Sequence, residues 1–252
     1  MLRLRPHSVA AHAGGVSSPG DFSRMSDKIH PTDALKSIDQ VLIADPRYKS
    51  VDLADWHSRV AEIVLVEPTP KEVKQLFENA KNIALYAYFA YRLHQPAEAI
   101  GYTALEKALK LKFEQEKDNF VVERTPKTLA DYMDVAANQG WIRSEGYGSF
   151  RLLASSRVQQ KKIDELIESG AFNHQESIPI PEPEEHEIIA EMRAMGIAER
   201  VLHAGRHVRN NLAHGGGGLS PSAIGTLNKI AEEINQLFSE EVCVTTNQTA
   251  VS

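Results

Sequence analysis

Between residues 73 and 91, Val73, Leu76, Phe77, Ala80, Ile83, Ala84, Ala87, Tyr88 and Tyr91 recur at steps of three and four. That spacing gathers them on one face of a helix and leaves the charged positions on the other. Pro96 stops this helix and opens a second over about 97–117, in which Ile100, Ala104, Leu105, Ala108, Leu111 and Phe113 repeat the pattern. A connection this short makes the two an antiparallel hairpin, the expected scaffold of the fold. A third stripe, Ile224, Leu227, Ile230, Ala231, Ile234, Leu237 and Phe238, predicts a last helix that begins near Ser220-Pro221.

Punctuation supplies the rest. A helix is expected from Thr32-Asp33 to Ala44, broken by Asp45-Pro46, and another from Asp52 to about Glu67, closed by Pro68 and Pro70. Together they would make a helical arm over 31–68. Thr128 is placed to cap a helix that Gly140 ends in a left-handed conformation, with Trp141 and Ile142 folding back. The Gly146-Tyr147-Gly148 turn leads to a helix near 155–169, and the prolines of 178–183 keep that segment extended. Pro183, Glu184 and Glu185 suit the first turn of a further long helix, kinked at Gly196 or Gly205. No alternation is strong enough for a strand. The expected fold is therefore all-α, an antiparallel helical bundle over 69–240 with the N-terminal arm, an insertion at about 141–183, and disordered segments at 1–30 and 241–252.

Composition narrows the functional classes. The chain has 252 residues and a net charge of −6, so general attraction to nucleic acid is not expected and any RNA contact requires a local patch. The single cysteine, Cys243, cannot form an intrachain disulfide, which fits a reducing, cytoplasmic setting. Apolar runs fall far short of a membrane span, and no membrane association is expected. Residues 1–30 carry Arg3, Arg5 and Arg24 with no acid before Asp21. Two readings stay open for them: a targeting segment, or translation that starts at Met25, which is preferred because the segment lacks an amphipathic stripe.

The long helix ends in Arg209-Asn210-Asn211-Leu212-Ala213-His214, followed by Gly215 to Gly218. Upstream it carries Arg200, His203, Arg206 and His207, with no acid between 200 and 214. Arginine is charged at any working pH and can fork onto phosphate oxygens, and histidine exchanges a proton near neutrality. The pair is a minimal kit for cleaving a phosphodiester without a metal. On a regular helix, however, Arg209 and His214 diverge by roughly 140°. Either the glycines free the His214 ring to swing, or a second copy of the chain completes the site. His203 and His207 have the i, i+4 spacing of zinc ligands, but no third ligand is evident, and no metal or cofactor is expected. The glycine run lacks the lysine and preceding strand of a phosphate-binding loop and reads as a flexible stop.

Arg209, Asn210 and His214 resemble the signature of the HEPN family (higher eukaryotes and prokaryotes nucleotide-binding domains), an Arg followed at four to six residues by His, often with Asn after the Arg. The stretch Tyr102 to Leu109 on the scaffold helix is similar in style, and the resemblance spans roughly 70–240. It implies a helical bundle and a metal-independent endoribonuclease acting on single-stranded or loop RNA. In that scheme Arg209 and His214 are catalytic and Asn210 and Glu106 support them. Arg200, His203, Arg206 and His207 would hold RNA, and two motif helices would meet in a homodimer. In the toxin branch that pairs with a nucleotidyltransferase antitoxin, a tyrosine follows the histidine by two residues. Here that position is Gly216, so regulation at that tyrosine is unsupported. A toxin or defence role with a protein partner stays open, as does a non-catalytic interaction or nucleotide-binding module.

Overall fold

Asp52 opens the first α-helix by accepting the backbone N–H of Ala54 on its side chain, and α1 runs from Leu53 to Ala61. It is shorter than the expected Asp52–Glu67 segment. The structure is a computed structural model and describes residues 29, 31–121, 124–170, 179–214 and 221–239. The expectations of disorder at 1–30, Ile29 apart, and at 241–252, the setting of Cys243 and the role of the glycine run all lie outside the described residues.

The hairpin forms, but its first helix ends at Tyr86, so Ala87, Tyr88 and Tyr91 of the expected stripe lie beyond it and Pro96 is not its stop. Helix α2 (Lys71–Tyr86) buries Val73, Phe77, Ala80 and Ala84, and a 3-10 turn at Tyr91–Leu93 leads into α3 (His94–Glu116). Pro96 therefore sits inside the first turn of α3, where its missing N–H has no partner to lose. Apolar residues surround α3: Ala97, Gly101, Ala104, Leu105, Ala108, Leu109 and Phe113 are all buried. The reason is topological, because α3 packs against four other helices, α2 among them.

Thr128 caps α4 (Leu129–Asn138) in a reciprocal capping box with Asp131. Gly140 then takes φ +68°, the expected left-handed stop, and Trp141 N–H returns to Ala136 O. Two 3-10 turns (Ser144–Gly146 and Gly148–Phe150) precede α5 (Arg151–Glu168), which pairs with α6 (Glu185–Ala194). Glu191 of α6 is buried between Arg157 (3.0 Å) and Lys161 of α5, an ionic clasp that ties the expected insertion to the helix after it.

The long motif helix is in fact two. Gly196 has φ +56° and ψ +46°, so the chain turns there and α7 (Ile197–Ala213) starts afresh. Gly205, the other expected kink, lies within regular helix, where its missing Cβ admits the Tyr102 ring. The last helix, α8 (Ala223–Phe238), buries Leu227, Ile230, Ala231, Ile234 and Leu237 against α3. Helices α4, α7, α8 and α2 thus share α3 as their common wall.

The N-terminal expectation fails. Pro31–Asp33 is a 3-10 turn, and residues 38–42 form turns with no α-helix. Leu35 and Ile38 are almost fully exposed, so this segment has the spacing of a helix without a surface to bury it. Residues 35–239 belong to one unit, and the described residues before Leu35 to another. Within the first of these, Tyr48, Trp56, Tyr88 and Tyr91 form a separate aromatic cluster around His94. The His94 Nε2 lies against the Tyr48 hydroxyl, and burial lowers its pKa to about 4. Among the described residues there is no strand, and no helix is long and apolar enough to cross a membrane.

Candidate functional site

Because α7 is a regular helix, its charged run is distributed around the axis rather than gathered into one patch. One face carries Arg206, Arg209 and Asn210 towards α3 and α4. These three line a cleft of about 320 Å³ with Glu106 of α3 and the entry to α4, Lys127 to Ala130. The Arg209 side chain keeps 43 % of its surface exposed, and its Nη2 lies 3.9 Å from Glu106 Oε2. The other Glu106 oxygen accepts Lys110 Nζ at 2.6 Å. Glu106 is thus both an ordinary i, i+4 helix partner and the acid that faces the motif arginine.

Arg206 is held more firmly. One terminal nitrogen donates to Asp134 of α4, and its Nε is buried without a hydrogen-bond partner. The position opposite is the start of α4, where the Thr128 hydroxyl oxygen already accepts the N–H of Asp131, one of the first-turn groups without an acceptor within the helix. Asp131 is fixed beside it by the N–H groups of Lys127 and Thr128, which hold its carboxyl well below the usual carboxylate range, at about 2. The cleft therefore brings together two guanidinium groups, a lysine and a helix N-terminus, which is suited to an anion with several oxygens.

A second face carries His203 and His207, both exposed, with Nε2 atoms 3.3 Å apart and rings edge to face. His214 is the C-cap of α7; its backbone N–H reaches Asn210 O at 3.1 Å and its side chain is exposed. The helix ends after Ala213, and the backbone of His214, at φ −95° and ψ 8°, has left the helical course. The structure brings together Arg206, Arg209, Asn210 and Glu106, and leaves His203, His207 and His214 outside that cleft.

Arg200 departs furthest from expectation. It belongs to a third face, where it lines a different cleft between α7 and α8. Lys127, Thr128 and Asp134 also belong to the region of the arginine cleft, yet the sequence signals only that Thr128 caps a helix, and a cap does not disclose what it faces. Among the described residues no group of three or more His, Cys, Asp or Glu side chains could hold a metal ion. No family model, no curated protein and no solved structure matches this chain.

Proposed function

We propose that this chain is a HEPN-type endoribonuclease that cleaves single-stranded or loop RNA by attack of the ribose 2′-hydroxyl on the adjacent phosphate. The observation that supports it is the convergence of Arg206, Arg209 and Asn210 in one open cleft facing the start of α4. Arg209 binds the non-bridging oxygens as charge builds on phosphorus, Arg206 and the α4 N-terminus seat the phosphate, and Glu106 orients Arg209. His214 takes the proton of the 2′-hydroxyl, and the products are a 2′,3′-cyclic phosphate and a 5′-hydroxyl end.

His214 is exposed and about 140° around the helix from Arg209, so within one chain the base and the clamp do not meet. The reading therefore needs a homodimer with two α7 helices facing each other across a two-fold axis, each base serving the partner's clamp. The test is cleavage of unstructured RNA in EDTA with end mapping, alongside the oligomeric state by light scattering. A strict monomer at tens of micromolar that leaves RNA intact overturns the proposal.

A second reading, a non-catalytic helical module that binds a protein partner or a nucleotide, is favoured by one specific contact: Arg206 is already paired with Asp134. Under it the cations organise the helices rather than bind phosphate. Dimerisation without cleavage, and without protection of the arginines by RNA, supports this alternative.

A further inference from the structure

The third face of α7 meets α8 in a cleft of about 280 Å³, walled by Val201, Val208 and Ile230. That is close to the lower end of the roughly 300–1,000 Å³ range of small-ligand sites, and its walls have their usual apolar character. Glu233 lines it and is only 3 % exposed. Its Oε1 accepts the hydroxyl of the buried Tyr147 at 3.1 Å, whereas Oε2 is buried without any hydrogen-bond partner. Leaving a buried carboxyl oxygen unpaired is costly, and natural interiors rarely tolerate it without a use. Burial pushes this carboxyl up to about 8, so it awaits a donor group that would favour its charged form. Two cations, Arg200 and Lys229, both exposed, line the same cleft.

A ligand that answers all three features is planar and apolar on its faces, offers N–H donors at its inner edge, and carries an anionic group that reaches the cations. A nucleotide of RNA has this form. Among the four bases guanine alone presents two adjacent N–H donors, N1–H and N2–H, on its pairing edge. We propose that the α7–α8 cleft is a base-specificity site for guanine, with Glu233 accepting the donor edge and Arg200 and Lys229 holding the adjacent phosphate. This inference rests on the reading of the chain as an RNA-cleaving protein. It uses none of the residues assigned to cleavage.

The test is binding of free GMP, AMP, CMP and UMP to the full chain, by calorimetry or by chemical-shift changes. GMP is expected to bind tighter than the other three by about tenfold, the discrimination typical of a good bidentate base contact. Glu233→Gln, nearly isosteric, should remove that preference, and Arg200→Ala should weaken GMP but leave guanosine unchanged. Retained thermal unfolding of both variants separates loss of the site from loss of the fold. Equal binding of the four nucleotides, or a GMP preference that survives Glu233→Gln, overturns the inference. If RNA is cleaved with no preference at guanosine and GMP does not bind, the inference falls while the nuclease reading stands. If GMP binds as expected and no RNA is cut, the nuclease reading is the one that fails.

Discussion

The two sides of α7 solve opposite problems with similar residues. Towards α4, each arginine has an acid opposite it, Asp134 for Arg206 and Glu106 for Arg209, and the cleft stays half open to water. Towards α8, an acid is buried with one oxygen unpaired and the cations stay at the solvent side. A pair screened by water contributes little to stability, commonly about 0–1 kcal/mol, so its cations are available to a ligand at small cost. A buried carboxyl is different, since its protonation state is tied to the packing around it. The chain therefore carries one cleft lined by charge at the surface and one lined by a desolvated acid.

The largest effects should fall on the first side. His214→Ala and Arg209→Ala each should lower RNA cleavage by about 10²–10⁴-fold without changing the melting temperature, because both side chains are substantially exposed. Mixing the two inactive variants should recover measurable cleavage, since one site of each mixed dimer then holds both native groups. No recovery on mixing would place base and clamp in one chain and remove the need for the dimer.

On the second side the expected effect is on stability and its pH dependence. The Glu233 carboxyl is about 8 when folded and near 4.5 when unfolded, so the folded state holds the extra proton between those values. Its stabilisation is complete below pH 4.5 and is lost as pH rises through 8. Glu233→Gln should raise stability at pH 8 and leave it little changed at pH 4.5, as read by urea unfolding. His94 acts in the other direction. With its folded value near 4 and its unfolded value near 6.5, it withdraws stability as pH falls between them, a slope that His94→Gln should flatten.

Smaller changes sharpen the contrast. A Cβ on Gly101 would meet Leu227 Cδ2 at 2.6 Å, so Gly101→Ala should push α8 from α3 and cost about 1–3 kcal/mol. It should disturb the α8 side more than the arginine cleft. Asp134→Asn should cost less than about 1 kcal/mol and leave Arg206 free to bind phosphate more tightly, measurable as stronger retention of short RNA at low salt. Weaker retention would mean that Asp134 positions Arg206 rather than competing with the ligand.

What the sequence disclosed follows a physical line. The stripes of α3 and α8, the Thr128 cap and the Gly140 stop are local signals that appear where their spacing predicts, and the α2 stripe does so as far as Tyr86. Leu35, Ile38 and Leu42 have helical spacing too, yet form no helix, because spacing is decisive only where another surface buries the stripe. The motif named the candidate residues of α7 but not how they divide among faces: Arg200 lies on the α8 side, and the histidines lie outside the arginine cleft. Glu233 was silent, a polar residue beside Ile230 and Ile234. Its burial depends on Tyr147, 86 positions earlier in the chain.

The position of α3 as a common wall has a thermodynamic corollary. Tyr102 lines the α8-side cleft and Glu106, one turn further on, lines the arginine cleft, about 6 Å along the same axis. A ligand in one cleft that displaced this turn of α3 would change affinity in the other, and the two ligands would alter each other's dissociation constants by the same factor. Base choice and phosphate capture would then be a single linked equilibrium, with the segment from Tyr102 to Glu106 as its lever.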